Sequence, residues 1–310
     1  MCTRVFWPNN PVAKVVARTT DMWGASHPRL VWQPAGINRR RDDDASALAW
    51  TSRFDTLVVN EERSLPLEGM NSEGLVAHAL MFTTAEYPAP DARPAVHVTD
   101  WVHFVLDTCA TVAEAVSAHD GARLVSDRVH EMDLGVHLVL EDPSGDSAVI
   151  EPVAGELLIH HDPDIRVVAN APSYPEQVAN RAQYRNFGGE LPPPGDITSL
   201  DRFARASYYL HYLPEPATAT EAVASVVQVV TITAKPPGAP YPDGADYPTR
   251  WISAVDLTNR DLYFWNRNSP AACWVRVPQL ATVRTDAHLD LDDPTLVGDI
   301  TERLAGAAAH

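Results

Sequence analysis

The first 21 residues constrain the fold more than any other stretch of this chain. Val5-Phe6-Trp7 is typical of a short β-strand, the Pro-Asn-Asn-Pro that follows is typical of a turn, and residues 12–20 are rich in β-branched side chains. The sequence therefore predicts an N-terminal β-hairpin. Its returning strand would bring Arg18 and Asp21 back towards Cys2.

Cys2 would carry both a thiol and a free α-amine if the initiator Met is removed, which a small second residue favours. An α-amine has an ordinary pKa of about 7.7–8.0, so near neutral pH it can accept the thiol proton. Arg18 would favour the thiolate because a guanidinium keeps its charge, and Asp21 could anchor the new ammonium. A Cys after Met is weak evidence alone, but with this hairpin it indicates an N-terminal nucleophile.

Several short motifs resemble, in order and spacing, those of the choloylglycine hydrolase and penicillin V acylase family, whose members are N-terminal nucleophile hydrolases of linear amides. The resemblance covers nearly the whole chain. It implies an α+β fold, a four-layer αββα sandwich formed by one domain over residues 1–310, often assembled as a homotetramer. The matching segments are Met1-Cys2-Thr3, Arg18-Thr19-Thr20-Asp21-Met22, Gly69-Met70-Asn71-Ser72-Glu73-Gly74-Leu75, Asn170-Ala171-Pro172, Pro194-Gly195-Asp196 and Asp201-Arg202-Phe203.

The resemblance also implies the catalytic residues Cys2, Arg18, Asp21, Asn170 and Arg202. Cys2 would attack the amide carbon and form a thioester, which water then hydrolyses. Asn170 would give its side-chain amide to the oxyanion hole, and Arg202 would hold Asp21 or the substrate. This mechanism uses no metal and no cofactor.

Position 81 departs from the family, which usually has Asn or Tyr there. A thioether cannot donate a hydrogen bond, so Met81 could stabilise an oxyanion only through its backbone N–H. We expect Met22, Trp23, Met81 and Phe82 to form an apolar acyl pocket, although a packed core would show the same residue types. The substrate stays open among conjugated bile salts, penicillin V and acyl homoserine lactones. A non-catalytic ligand-binding protein is the alternative, motivated by Met81 and opposed by the five catalytic residues.

The net charge and the cysteine content limit the classes of binding partner and the cellular compartment that we expect. The formal net charge of −17 opposes binding to nucleic acid and to anionic membranes. The three cysteines are too few for a disulfide framework, and we interpret Cys109 and Cys273 as buried apolar residues. No secretory signal fits before Cys2, and no apolar run could span a bilayer. We therefore expect a cytoplasmic enzyme, a homo-oligomer, whose partner is a small amide with an apolar acyl group.

Local patterns predict most of the remaining elements. Thr111 and Glu114 have the spacing of a helix capping box. A lone His in a strand is more often a core residue than a catalytic one, so His137 is assigned no role, and no spacing among the 12 histidines is typical of a metal site. The predicted strands are 29–34, 56–60, 75–82, 135–142, 146–151, 251–256 and 261–266, and the predicted helices are 98–109, 111–118 and 218–230, with a further helix around 201–206.

Overall fold

The computed structural model describes residues 1–62, 64–129, 132–241 and 244–308. The strands in these residues are β1 Cys2–Trp7, β2 Val15–Asp21, β3 Arg29–Gln33, β4 Asn38–Arg39, β5 Trp50–Thr51, β6 Thr56–Glu61, β7 Leu65–Asn71, β8 Val76–Met81, β9 Ala95–His97, β10 Arg123–Val125, β11 Arg128–Val129, β12 Met132–Asp133, β13 Val136–Glu141, β14 Ser147–Val153, β15 Glu156–His161, β16 Val167–Val168, β17 Thr249–Asp256, β18 Asp261–Asn266, β19 Cys273–Arg276, β20 Ala287–Asp290 and β21 Gly298–Asp299. The α-helices are α1 Trp101–Thr108, α2 Val112–Ala118, α3 Tyr174–Arg181, α4 Ser199–His211, α5 Ala219–Thr231 and α6 Thr301–Ala307, and a 3₁₀ turn covers Val277–Leu280.

Most strands belong to two large sheets. The first sheet has seven strands in the order β16-β1-β2-β17-β18-β19-β21. The second has eight strands in the order β15-β14-β13-β8-β7-β6-β3-β20. Strands adjacent in sequence pair as hairpins in both sheets, for example β7 with β8 and β17 with β18. The N-terminal hairpin thus lies near one edge of the first sheet, beside the short β16.

The two sheets pack face to face, with helices on both outer faces. The core between them contains Phe6 and Trp251 of the first sheet and Trp32 and Met70 of the second. Helices α4 and α5 cover the first sheet, and α1 and α2 cover the second. Each large apolar side chain buried in this way contributes about 1.5–3 kcal/mol. The arrangement is the four-layer αββα sandwich that the sequence predicts.

The N-terminal hairpin forms as predicted, with a shorter second strand. Cys2 pairs with Thr20 across β1 and β2. The returning strand begins at Val15 rather than at position 12, because the side chain of Asn10 extends the turn. Its Oδ1 accepts the backbone N–H of Val12 at 3.2 Å and that of Ala13 at 2.9 Å.

Helices α2, α4 and α5 each follow a Thr whose side chain accepts a backbone N–H of the first turn. Thr111 accepts the N–H of Glu114 at 3.1 Å at the start of α2, as predicted, and Thr218 caps α5 in the same way. The predicted helix over 98–109 begins only at Trp101, because residues up to His97 belong to β9. Among the described helices, none combines the length and apolar character that crossing a membrane would require.

Candidate active site

Cys2 lies at the start of β1 with its side chain between the two sheets, where it is 4% exposed. The Nη2 of Arg18 donates to its Sγ at 3.1 Å. The same guanidinium donates to the carbonyl of Leu67 at 2.9 Å and to that of Ala79 at 3.1 Å. These two residues lie just beyond the paired part of β7 and β8, whose last pair on this side is Glu68 with His78. The predicted approach of Arg18 to the thiol is therefore present, and three contacts hold the guanidinium in place.

The charge of Arg18 is well supported although the side chain is fully buried. Burial opposes the charged form, but the Cys2 sulfur and the Glu68 carboxylate outweigh it and raise the pKa of Arg18. Glu68 Oε2 lies 3.8 Å from Arg18 Nε. The sulfur therefore faces a permanent positive charge in a region of low dielectric constant.

Asn170 connects the residues around Cys2 through both ends of its amide. Its Oδ1 accepts the backbone N–H of Cys2 at 2.6 Å and Nη2 of Arg202 at 2.7 Å. Its Nδ2 donates to the carbonyl of Met81 at 2.7 Å. Since a primary amide has two N–H groups, one of them remains for a further acceptor beside Cys2.

Two residues that the sequence analysis missed position Asn170. Gln177 of α3 accepts the N–H of Ala169 at 2.9 Å and donates to the carbonyl of Asn170 at 2.7 Å. Ser199 at the start of α4 accepts the N–H of Asn170 at 2.9 Å. The signal for α3 was the Ser173-Tyr174-Pro175-Glu176 segment, in which Glu176 accepts the N–H of Ser173 at 3.0 Å, as in a capping box.

Arg202 reaches Cys2 from α4 across the first sheet. Its Nη1 donates to the carbonyl of Cys2 and to Oγ1 of Thr3, both at 2.5 Å. Arg202 was expected to hold Asp21 or the substrate; in the described part of the chain its guanidinium bonds to the Cys2 backbone, Thr3, Asn170 and the carbonyl of Ile197, and a bond to the substrate stays a prediction. It orders the residue that carries the thiol, and it acts on Asp21 only through space.

Asp21 is hydrogen-bonded by a residue that is distant in the sequence. Thr249 of β17 donates to its Oδ1 at 2.6 Å, and its Oδ2 is buried with no donor among the described residues. Burial raises the pKa of Asp21, whereas Arg202, the N-terminal amine and hydroxyl donors act in the opposite direction. The backbone N–H of Asp21 donates to the carbonyl of Met1 at 2.7 Å, which places this carboxylate beside the chain terminus.

The N-terminal amine is buried in the same place. The Met1 amine donates to the backbone carbonyl of Asp21. Burial lowers its pKa; Cys2 and Asp21 act against this, and Arg202 and Arg18 act with it. An amine at this end of β1 is therefore in an environment that favours its free-base form.

Tyr241 adds a phenol that the sequence analysis did not identify. It belongs to the Pro-rich loop before β17, and the ammonium of Lys235 lies 4.7 Å from its ring centre. Its hydroxyl is buried and has no partner in good hydrogen-bond geometry among the described residues. Burial, with Asp21 and Cys2 acting in the same direction and Arg202 against it, raises the pKa of Tyr241 to about 12.

At position 81 the backbone faces the site. Phe82 donates its N–H to the carbonyl of Gly135 at 2.8 Å, so the N–H and carbonyl of Met81 lie at the opposite edge of β8. That carbonyl receives the amide of Asn170, which places the Met81 N–H on the same side. A backbone donor is thus available where the side chain has none.

The four residues predicted to form an acyl pocket differ in their surroundings. Trp23 is 54% exposed, Met81 is partly exposed, and Met22 is partly buried against the central core. Phe82 is 1% exposed, and its ring stacks on His137 with the centroids 5.0 Å apart. Alternation along β8 places Phe82 on the same face as Leu80, which packs with Cys2 between the sheets, and its place in the acyl pocket stays a prediction.

The thiols of Cys109 and Cys273 lie in surroundings that disfavour the thiolate. Burial raises the pKa of Cys109, and it raises that of Cys273 to about 11. Both are free and buried, as predicted. Within the described ranges no group of three or more His, Cys, Asp and Glu side chains is arranged to hold a metal ion.

Comparison with known proteins finds relatives of similar sequence and fold. Penicillin V acylase from Pectobacterium atrosepticum is 29% identical over 306 residues, covering 90% of this chain and 81% of that protein. The structure of penicillin V acylase from Agrobacterium tumefaciens has a TM-score of 0.86 and 29% identity, covering 97% of this chain and 96% of that chain. A conjugated bile acid hydrolase from Clostridium perfringens shares the fold, with a TM-score of 0.81 at 17% identity over 96% of this chain and 98% of its own. A sequence model of the choloylglycine hydrolase family matches residues 2–295, and the chain belongs to this family of linear amide C–N hydrolases.

Proposed function

We propose that this hydrolase cleaves the linear amide of an N-acyl compound through a thioester on Cys2. The observation that carries the proposal is the pair of contacts at one residue. The Cys2 sulfur lies 3.1 Å from the buried Arg18 guanidinium, and the Cys2 nitrogen lies 2.6 Å from the Asn170 amide oxygen. The first favours a thiolate, and the second holds in place the atom that becomes the α-amine.

Removal of Met1 turns the Cys2 nitrogen into a primary amine. The surroundings at this end of β1 lower the pKa of the Met1 amine, and the new amine of Cys2 lies in the same place. The free amine takes the thiol proton as the sulfur attacks the amide carbon, and it later gives that proton to the leaving nitrogen. Asp21 Oδ2, which has no donor among the described residues, is the acceptor for the ammonium formed in between. Asp21 therefore orients the base.

The tetrahedral intermediate places a negative oxygen beside Asn170 and Met81. The second N–H of the Asn170 side chain and the backbone N–H of Met81 are the proposed donors. Such donors act mainly in the transition state, where the charge develops, and loss of one typically costs about 2.7–4 kcal/mol of barrier. Departure of the amine leaves the acyl group on sulfur, and water activated by the α-amine releases the carboxylic acid.

We propose an apolar, aromatic acyl group of the penicillin V type as the preferred substrate. Its support is the 54% exposed indole of Trp23, directly after Asp21 and Met22, and the similarity to two penicillin V acylases. Bile salts and acyl homoserine lactones are the competing substrates. A panel of matched amides, assayed by release of the amine or lactone, distinguishes the three: the aryloxyacetyl amide should give the highest kcat/KM.

The test of the nucleophile is a pair of alanine variants. Cys2→Ala should abolish hydrolysis of every amide in the panel, whereas Cys109→Ala, which removes an equally buried thiol from the other side of the second sheet, should retain it. Hydrolysis by Cys2→Ala at the wild-type rate would refute the mechanism. Hydrolysis of none of the amides by the wild-type enzyme would refute the proposed substrate class.

Location and assembly are further parts of the proposal. Three free cysteines and a reactive thiol suit the reducing cytoplasm. A homotetramer is proposed from the family resemblance. Cell fractionation checks the first, and native mass spectrometry of the purified enzyme checks the second.

A further inference from the structure

The apolar core between the two sheets contains, among the described residues, a connected array of five charged or titratable side chains. Each is at most 2% exposed. Buried ionised groups cost several kcal/mol each unless they are paired, so this array requires a physical explanation. Its members are Arg4 and Arg18 on β1 and β2, and Glu68, His78 and Glu141 on β7, β8 and β13.

The array forms a continuous path from the Cys2 sulfur into the protein. Arg18 bonds to the sulfur at 3.1 Å and lies 3.8 Å from Glu68. Glu68 Oε2 lies 3.1 Å from Nδ1 of His78, and Nε2 of His78 lies 2.6 Å from Glu141 Oε1, an ion-pair contact outside hydrogen-bond geometry. His78 is thus enclosed by two carboxylates and reaches the thiol only through Glu68 and Arg18.

The two glutamates of the array provide the counter-charges for its two arginines. Arg4 and Arg18 are direct cross-strand neighbours in the β1–β2 register, an arrangement of like charges that is unfavourable without counter-charges. Glu141 Oε2 accepts two N–H groups of Arg4, at 2.8 and 3.1 Å. Glu68 faces Arg18 and accepts from Trp251 at 2.9 Å and Ser253 at 2.6 Å. Two positive and two negative charges therefore cancel.

Among Cys2 and the five members of the array, this cancellation leaves Cys2 and His78 as the groups whose ionisation decides the net charge; the N-terminal amine, Asp21 and Arg202 lie outside the array and act on one another through space. A thiol with a neutral imidazole gives zero, and a thiolate with an imidazolium also gives zero. A thiolate with a neutral imidazole gives Cys2 and the array together a net charge of about −1 in a region where charge interactions are weakly screened. Ionisation of the two groups is therefore coupled through the intervening Glu68 and Arg18.

We infer that His78 is a positioning residue that, as an imidazolium between Glu68 and Glu141, supplies the compensating charge for the Cys2 thiolate. It transfers no proton to or from the substrate. The inference rests on the proposed function, because it assumes that the thiolate of Cys2 is the nucleophile. It assigns to the buried array a role in thiol reactivity.

The groups that face His78 from the neighbouring elements support this assignment. Glu68 comes from β7 and Glu141 from β13, and behind them lie Arg18 of β2 and Arg4 of β1. The groups from β17 and β14 that contact these carboxylates and Arg4 are neutral. Burial opposes the charged form of His78, but the two carboxylates outweigh it and raise its pKa. These neutral groups are Trp251, Ser253 and Ser147.

The first test uses the reciprocity of coupled ionisations and leaves His78 intact. The pH titration of His78 is followed by NMR of histidine-labelled enzyme, in wild type and in Cys2→Ala, with His78→Gln used to assign the signal. Removal of the thiolate should lower the His78 midpoint by about one pH unit. His119, a buried histidine between α1 and α2 that accepts from Trp101 at 2.7 Å, is the internal control and should not move. An unchanged His78 midpoint overturns the inference.

The second test measures the thiol. The rate of iodoacetamide alkylation of Cys2 is recorded against pH for wild type, His78→Gln and the matched control His119→Gln. The His78 variant should shift the alkylation midpoint upward by about one unit, which is about tenfold in rate below both midpoints. A folded His78→Gln with an unshifted profile overturns the inference, and if that variant does not fold, the NMR titration decides.

The two proposals fail in different ways. Amide hydrolysis by Cys2→Ala would remove the proposed function while the coupling between the thiol and His78 could still be measured. Loss of hydrolysis in Cys2→Ala together with an unmoved His78 midpoint would leave Cys2 as the nucleophile and reduce the array to a structural role.

Discussion

Replacement of Asn170 by Ala, compared with Asn71→Ala as a control, should separate catalysis from folding. The change removes the proposed oxyanion donor and should lower kcat by about 10²–10³, which corresponds to about 2.7–4 kcal/mol of barrier. It also leaves the Cys2 N–H and one N–H of Arg202 without their acceptor, since both now bond to Oδ1 within 2.7 Å. Unsatisfied buried groups of this kind cost about 1–3 kcal/mol of folding free energy. The variant is therefore expected to lose both stability and rate.

The control is Asn71→Ala. Asn71 is fully buried at the end of β7, where Nδ2 donates to the carbonyls of Leu106 at 2.9 Å and Cys109 at 2.7 Å, and Oδ1 accepts two backbone N–H groups at 3.1 Å. Its loss should reduce the free energy of unfolding at least as much. Urea unfolding and steady-state kinetics, corrected for the folded fraction, should show a fall in kcat for Asn170→Ala only. Equal kcat losses in both variants, or retention of kcat within about threefold in Asn170→Ala, would refute the donor role.

Three further predictions concern the thiols, position 81 and the buried array. Iodoacetamide at pH 7.5 should modify Cys2 before Cys109, whose pKa burial raises, and inactivation that follows Cys109 labelling in peptide mass maps would reverse the assignment. Met81→Asn should raise KM for long or aromatic acyl amides while kcat for short ones is kept or increased; equal kcat losses on both at unchanged KM would make Met81 purely structural. Burial raises the pKa of Glu68, but Arg18 and His78 outweigh it and lower this pKa to about 2. Glu68→Gln should therefore be less stable than wild type near pH 7, and the difference in free energy of unfolding should narrow as the pH falls from about 4.5 to about 2. Parallel urea midpoints across that range would contradict this.

Local patterns predicted the part of the site that lies within one hairpin. Cys2, Arg18 and Asp21 converge because the β1–β2 register places Cys2 opposite Thr20. The capping Thr at the start of α2 and the turn that begins at Asn71 are equally local, and the structure contains both.

The contacts that complete the site were not predictable from such patterns. Thr249 reaches Asp21 across 228 positions, and Arg202 reaches the Cys2 carbonyl across 200. No local pattern indicated that Glu68 and His78 lie near Cys2, because a charged residue in a strand usually indicates a solvent-facing position. Phe82 was assigned to the acyl pocket from its residue type alone, and that assignment stays a prediction.

The most direct test of the account is to trap the acyl-enzyme. The purified enzyme is mixed with an aryloxyacetyl amide and quenched in acid within milliseconds, and the intact protein and its peptides are weighed by mass spectrometry. The account predicts a chain that begins at Cys2, with one acyl group on its N-terminal peptide that disappears as the free acid is released. Full activity in a protein that retains Met1, or an acyl group on any other residue, would contradict it.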